Sequence, residues 1–410
     1  MRSLNESISH GLQEKTMNGA SEKREVEPAR PHGQFMTVGE LQGAVHRRHP
    51  LTRLNAISPY YTMFPLDFPY SCLDEAKNGD WVLDPFCGRG TTNFAARLKG
   101  LPSVGLDASP VAAAIAAAKL VNTTPAEVTD LCSDLISRPP MSVPEGEFWE
   151  WCYHPQTLID LCSLREALLQ DCTTDAAIAL RALILGILHG PVNKNTKSYL
   201  SNQMPRTYSP KPDYSVRFWK TRGLHPKKIN LLELVARKAN YFFSSPPPPS
   251  PGNILWADSR EESIPAPEDG FRWIVTSPPY LGMNTYIPDQ WLRHWFLGGA
   301  SSVEYSRKYQ IGRTGVTGFT DDLANVWRNV ADCSAPGASM IIRFGSLPSH
   351  PHDPRTVLTA SFERADCGWE VVKCESAGVP KRAKRQSEHF TERAGAAREE
   401  IDLYAILTYV

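Results

Sequence analysis

The stretch from Trp81 to Val121 limits what this chain can fold into more than any other. Trp81-Val82-Leu83-Asp84 is a short apolar run, Pro85 to Gly90 is a turn with two glycines one residue apart, and Thr91 to Lys99 reads as a helix. A second apolar run, Ser103 to Leu106, ends at Asp107. Ser109 and Pro110 then stand where a helix N-cap and first turn belong, ahead of VAAAIAAAKLV. Strand, helix, strand and helix in such quick succession call for crossover connections, and these make a parallel sheet covered by helices. The predicted fold is therefore α/β, a doubly wound and mostly parallel sheet of Rossmann-like kind.

Proline clusters divide the rest. Residues 1–35 are polar, charged and without periodicity, and read as a disordered tail. Ser58 to Phe68, SPYYTMFPLDF, reads as a folded loop. Residues 122–243 carry helical patterns, such as Pro155 to Gln170 and Thr174 to His189, and Ser244 to Gly252 (SSPPPPSPG) is a stiff connector. Strand-like texts resume at Asn253 to Ala257, Phe271 to Thr276, Ser339 to Phe344, Trp369 to Cys374 and Ile401 to Thr408. The simplest division is one sheet domain, residues 36–121 and 253–410, interrupted by a helical insertion at 122–252.

Composition excludes several classes. With 410 residues, 41% apolar and 21% charged, the chain can bury a sizeable core. Lys+Arg and Asp+Glu both number 44, which excludes a strongly basic binder while leaving room for local basic patches. Ala176 to Leu188, the most hydrophobic stretch, is broken by Arg181 and reads as a buried helix rather than a membrane span. The first thirty residues lack the apolar centre of a secretory signal, so a soluble, cytoplasmic protein with no membrane partner is expected. Nine scattered cysteines without a CxxC pair argue against a zinc ribbon or disulfide framework, and for reduced thiols. His350-Pro351-His352-Asp353 has a proline between its histidines and no further partner, so no metal is expected there.

Two short texts carry chemistry. In VLDPFCGRGTT, Gly88 and Gly90 let the backbone turn sharply where a β-carbon would clash, and the following helix presents its N-terminal amides there. Asp107 closes the second strand, where an acid bonds ribose hydroxyls in nucleoside-binding α/β folds. Nucleoside binding is the functional reading, and a plain turn is the bland one. A Walker loop is excluded because no GK[ST] follows. The second text is Ser277-Pro278-Pro279-Tyr280, directly after the strand-like Trp273 to Thr276. Two prolines cannot continue a ladder, so the chain leaves the sheet in a fixed, extended loop. Such a loop aims a hydroxyl, a carbonyl and a flat ring at the sheet's carboxyl edge. A flipped-out base needs acceptors for its exocyclic amine and a stacking face.

DPFCGRGTT closely resembles the cofactor loop of the S-adenosylmethionine-dependent amino-methyltransferases of DNA, whose usual text is DPFxGxGTT, and SPPY matches their [DNS]PP[YFW] tetrapeptide. The resemblance implies a Rossmann-like class I methyltransferase fold with S-adenosylmethionine as cofactor. It assigns Asp84, Pro85, Phe86, Gly88, Gly90 and Thr91 to the cofactor loop. Asp107 matches the second-strand acid, and Asp258 in ILWADSR the third-strand acid near the adenine of the cofactor. It implies further that the Ser277 hydroxyl and the Pro278 carbonyl accept hydrogens from the target amine, Pro279 holds the turn and Tyr280 stacks on the base. The amine then attacks the sulfonium methyl in line, and positioning is the main contribution. Cytosine methyltransferases acting on carbon 5 need a Pro-Cys nucleophile, and this chain has no such dipeptide. Serine in the first position of the tetrapeptide is typical of enzymes acting on the 4-amino group of cytosine, and aspartate or asparagine of adenine enzymes.

The chain departs from the commonest cytosine arrangement, since its glycine loop precedes SPPY. Two segments are candidates for DNA contact. Lys194 to Arg222 interleaves Lys194, Lys197, Arg206, Lys211, Arg217, Lys220 and Arg222 with Tyr199, Tyr208, Tyr214, Phe218 and Trp219; its alternative is a proline-rich loop packed on helices. Lys381 to Arg385, continued by Arg393 and Arg398, falls in the loop of the last hairpin. Three rivals stay open: adenine-N6 methylation of DNA, methylation of an RNA base amine, and a catalytically silent DNA-binding subunit. A cognate restriction or defence-system protein is a further partner that the resemblance suggests, and a solitary regulatory methylase fits equally.

Overall fold

The computed structural model describes residues 36–46, 48–60, 64–190, 198–202, 211–261, 263–282, 290–303, 315–347, 352–378 and 400–408. The expected tail, residues 1–35, lies outside these, as do the Lys381–Arg385 run and the His350-Pro351 pair.

Val82, Leu83 and Asp84 have no polar face to spare and form β1 (Val82–Asp84), which is buried throughout. Strands buried on both sides belong at the centre of a parallel sheet. On one flank β1 pairs in parallel with β2 (Ser103–Asp107), and β2 with β3 (Gly252–Trp256). On the other it pairs in parallel with β4 (Phe271–Thr276), and β4 with β5 (Ser334–Gly345). The last strands, β6 (Trp369–Gly378) and β7 (Glu400–Leu407), form an antiparallel pair, and β7 inserts between β5 and β6. The order is β3-β2-β1-β4-β5-β7-β6. The order in which strands are added reverses between β1 and β4, and open α/β sheets bind ligands at such a switch, beyond the carboxyl ends of the strands.

Alternate residues serve opposite layers. Leu83, Ile274, Met340 and Ile342 face a layer containing the helices Gly315–Asp332 and Pro354–Ala365, where Phe319, Trp327 and Phe362 are buried. Val82, Val275 and Ile341 face Phe68 and Ala96, from the helices Asp67–Cys72 and Thr91–Leu98. Ser109 and Pro110 act as the sequence suggests. Ser109 caps the helix Pro110–Ala117 through Ala112 N–H, and Thr124 with Glu127 forms a capping box on Pro125–Ile136.

The helices Pro125–Ile136, Glu147–Cys152, Pro155–Gln170, Asp175–Ile187, Pro212–Thr221 and Leu231–Phe243 occupy the interval read as an insertion. They share one apolar core with Phe94, Val111 and Ile115 of the sheet domain, so the insertion has no core of its own. Its two ends meet at Arg97, which is 1% exposed. The guanidinium donates to the carbonyls of Lys119 (2.7 Å) and Val121 (2.8 Å) where the chain departs, and to Pro247 (2.8 Å) and Pro248 (3.0 Å) where it returns. A run of prolines has no N–H of its own, so its surroundings must supply the donors for its buried carbonyls.

No described helix is long and apolar enough to cross a membrane. All nine cysteines are free.

Candidate active site

The glycine loop and SPPY stand far apart in the sequence, but β1 and β4 are neighbours and bring their carboxyl ends together. Two hydroxyls that the sequence analysis passed over make the join. Thr276 Oγ1 donates to Asp84 Oδ1 at 2.6 Å, across 192 residues, and Thr92 Oγ1 donates to the Val275 carbonyl at 3.1 Å. Thr92 closes the DPFCGRGTT text and Thr276 directly precedes SPPY, and that placement was the available signal.

Asp84 is fully buried. Its Oδ1 also accepts from Phe86 N–H at 3.1 Å, while Oδ2 has no hydrogen-bond partner among the described residues. Burial disfavours the carboxylate and outweighs these bonds, pushing the carboxyl up to about 6. The loop then folds over β2. Cys87 N–H donates to Leu106 O (2.8 Å), and Gly88 N–H donates to Asp107 Oδ2 (2.9 Å). Asp107 Oδ1 takes Ser109 N–H at 2.8 Å, so the second-strand acid is fixed by backbone donors on both oxygens; burial raises it too, to about 6. Pro85 is buried and its carbonyl accepts from Ser259 Oγ, while Phe86 meets Trp327 edge-on at 6.3 Å.

The two glycines do different work. Gly90, at φ +73°, sits so close to the helix Pro110–Ala117 that an added Cβ would stand 2.8 Å from Ala116 Cβ. Gly88, at φ +52°, has nothing within 4 Å of that position among the described residues. Gly88 thus borders open space beside Asp107, and Thr91, 3% exposed, has a hydroxyl without a described partner. A glycine-lined recess beside two carboxyls, one with an unpaired buried oxygen, fits a cationic nucleoside cofactor.

Behind the loop, Arg89 turns away into the protein. Its Nη2 donates to the Asn55 carbonyl, and Lys119 Nζ donates to Asn55 Oδ1 at 2.7 Å. Burial lowers both cations, Arg89 to about 10 and Lys119 well below its usual range.

The third acid is differently engaged. Asp258 lies two residues beyond β3, forked by Arg260 (Nη2 to Oδ2, 2.6 Å; Nε to Oδ1, 3.0 Å), which also reaches Asp322 at 3.1 Å. The pairing keeps its carboxyl below the usual range. Closer to Asp107 stands Trp256, which is 70% exposed, pairs with Asp107 in strand register and donates its indole N–H to the Ala108 carbonyl at 3.1 Å. Its exposure could not be read from the sequence.

Ser277 and Pro279 are half-buried and Pro278 buried, immediately beyond β4. Tyr280 follows, half-buried, its hydroxyl donating to Glu400 Oε1 at 2.8 Å. Burial and the neighbouring carboxylate hold the phenol in its neutral form.

The structure divides the segment expected to contact DNA. Residues 194–197 and 203–210 lie outside the described residues, and the remainder includes the helix Pro212–Thr221. Trp219 is fully buried against Phe148, so this aromatic belongs to the core and cannot meet a base. Tyr214 is 54% exposed, and Lys220 pairs with Glu147. Asp353 caps the helix Pro354–Ala365 through Arg355 N–H, and no group of metal-ligating side chains occurs among the described residues.

No curated protein sequence matches the chain. Solved structures similar to it include an S-adenosylmethionine-dependent methyltransferase from Methanosarcina mazei, at 10% identity over 85% of this chain and 99% of that one, TM-score 0.32. The rRNA methyltransferase aviRa from Streptomyces viridochromogenes aligns at 11% identity over 86% and 92% of the two chains, TM-score 0.32. TrmN from Thermus thermophilus aligns at 11% over 87% and 53%, TM-score 0.32. Residues 18–118 match the DNA methylase family model. That match takes in β1, the glycine loop and Asp107, and makes this part of the chain similar to the DNA methylase family.

Proposed function

We propose that the protein is a site-specific DNA methyltransferase that methylates an exocyclic base amine, cytosine N4 in preference to adenine N6. The observation that carries this reading is the Thr276–Asp84 hydrogen bond, which ties the start of SPPY to the start of the glycine loop. An amine held at one motif then faces a donor held at the other.

In this reading Asp84, Pro85, Phe86, Gly88, Gly90, Thr91 and Asp107 hold the cofactor. Asp258, paired with Arg260, is the third-strand acid near the adenine of the cofactor in the same reading. Bound there, S-adenosylmethionine supplies an electrophilic sulfonium methyl. The target base leaves the duplex, and Tyr280 offers it a stacking face. The Ser277 hydroxyl and Pro278 carbonyl accept the two amine hydrogens, which turns the nitrogen lone pair out of the base plane. Pro279 fixes the loop, so the groups are held before the base arrives. Serine at 277 supports cytosine N4. DNA contact through exposed residues of Lys194–Arg222 and through Lys381–Arg385 belongs to the same proposal.

Mass spectrometry of nucleosides from DNA incubated with the protein and labelled S-adenosylmethionine tests it. Labelled 4-methylcytosine is the expected product. Labelled 6-methyladenine would keep the mechanism and overturn the serine argument. Cofactor binding with no label in DNA would overturn the substrate. Ser277→Ala with Tyr280→Ala should abolish transfer and spare most cofactor binding; normal methylation by that double variant would refute the site.

A further inference from the structure

Tyr280 is held on three sides. Its hydroxyl donates to Glu400 Oε1 at 2.8 Å. Its ring meets Phe344 edge-on, centroids 5.5 Å apart at 83°. Its far edge lies over Gly345, where an added Cβ would stand 3.1 Å from Tyr280 Cζ and 3.0 Å from Glu400 Cγ. Glu400 is the first residue of β7, in register with Gly345 on β5 and Gly378 on β6. With glycine on both neighbouring strands, its side chain has clear passage across the end of the sheet to the phenol.

Among the described residues, the surrounding charges leave this carboxylate to the tyrosine. Arg343, the cation whose field reaches Tyr280 from β5, is forked on Asp402 at 2.8 and 2.7 Å and lies over the Phe68 ring. Asp402 is thereby committed to Arg343. A phenol bonded to a carboxylate is a charge-assisted hydrogen bond, stronger and more directional than a neutral one.

We propose that Glu400 is a positioning residue for methyl transfer: it fixes the plane of the Tyr280 ring, on which the target base stacks. The inference rests on the role assigned to SPPY above. A ring that has lost this bond keeps its apolar contacts and can pivot on them, and small misplacements at a reacting centre cost rate.

The test uses the full chain, duplex DNA and labelled S-adenosylmethionine, with variants Tyr280→Phe, Glu400→Ala, Glu400→Gln and the double variant Tyr280→Phe with Glu400→Ala. Tyr280→Phe and Glu400→Ala should each lower kcat about tenfold, with cofactor affinity and Tm close to wild type. Glu400→Gln should recover most of that loss, because its amide oxygen still accepts the phenol hydrogen. The double variant should be no slower than the slower single, since both remove the same bond. Glu400→Ala within twofold of wild type overturns the proposal. So do losses that multiply in the double variant, or a fall in Tm with kcat intact. A wild-type protein that transfers no methyl group overturns the parent reading, and this one with it.

Discussion

Replacing Arg97 with methionine isolates what ties the two ends of the helical segment 122–252 to the sheet. The side chain is buried, and its four hydrogen bonds end on the carbonyls of Lys119, Val121, Pro247 and Pro248. Bonds from a charged donor contribute about 1.5–3 kcal/mol each, so four represent roughly 6–12 kcal/mol. Against this stands the cost of burying the guanidinium, several kcal/mol, whose sign is visible in the lowering of its ionisation to about 10. Methionine fills much of the volume and removes both terms, leaving carbonyls that proline neighbours cannot satisfy. The net expectation is a loss of about 4 kcal/mol, a large share of the usual 5–15 kcal/mol, or about 5 °C in Tm for a chain of this length. Arg97→Lys should recover little, because one ammonium cannot fork to carbonyls on two sides. Thermal unfolding with calorimetry measures both variants, and proteolysis near Pro247 should accelerate in step. An Arg97→Met protein within 1 kcal/mol of wild type would refute the claim that these bonds hold the insertion's ends.

Other outcomes follow from the loop. Asp84 is raised from the usual 3.8 to about 6. Between those values the native state keeps a proton that the unfolded chain has lost, so stability falls as pH rises through this window and stays low above it. Asp84→Asn removes the charge, and at pH 8 it should be more stable than wild type by about 2–3 kcal/mol in urea unfolding while binding cofactor poorly. Equal midpoints at pH 8 would contradict the burial argument. Gly88→Ala meets only backbone strain, about 1 kcal/mol, whereas Gly90→Ala also collides with Ala116. The first variant should fold and lose cofactor affinity by calorimetric titration; the second should lose several kcal/mol of stability. The reverse ranking in Tm would show that the two glycines had been assigned the wrong tasks.

Much of the frame was legible because local and global signals agree. Apolar runs bounded by proline and glycine marked the parallel strands, and Pro155 to Gln170 marked a helix to the residue. The motif residues fall at one switch point because strand ends are where such loops must go. Contacts between distant side chains were not legible. Nothing in the text ARLKG announces that Arg97 gathers four carbonyls, and nothing in EIDLYAIL announces that Glu400 reaches Tyr280. The strand read as Ser339 to Phe344 begins at Ser334, since pairing with β4 extends it through a proline and a glycine that propensity alone would exclude. Trp219 misled for a related reason. Alternating basic and aromatic residues look the same whether the rings face solvent or the core, and only the helical phase of Pro212–Thr221 separates them.

The adjacency of β1 and β4 also bears on how the protein is made. A ribosome releases the glycine loop long before β4, so β1 can pair with β2 early but must wait for its second partner until residues 122–252 have emerged. Parallel pairing at such separation is slow, and the open edge of β1 is prone to aggregate meanwhile. The helical segment forms from local contacts and can fold as it emerges. Once Arg97 has caught Pro247 and Pro248, the search that remains for β4 spans only the short stretch from Pro248 to Phe271. Arg97 thus brings the end of the helical segment back beside the helix that follows β1, which shortens the chain left to close between β1 and β4.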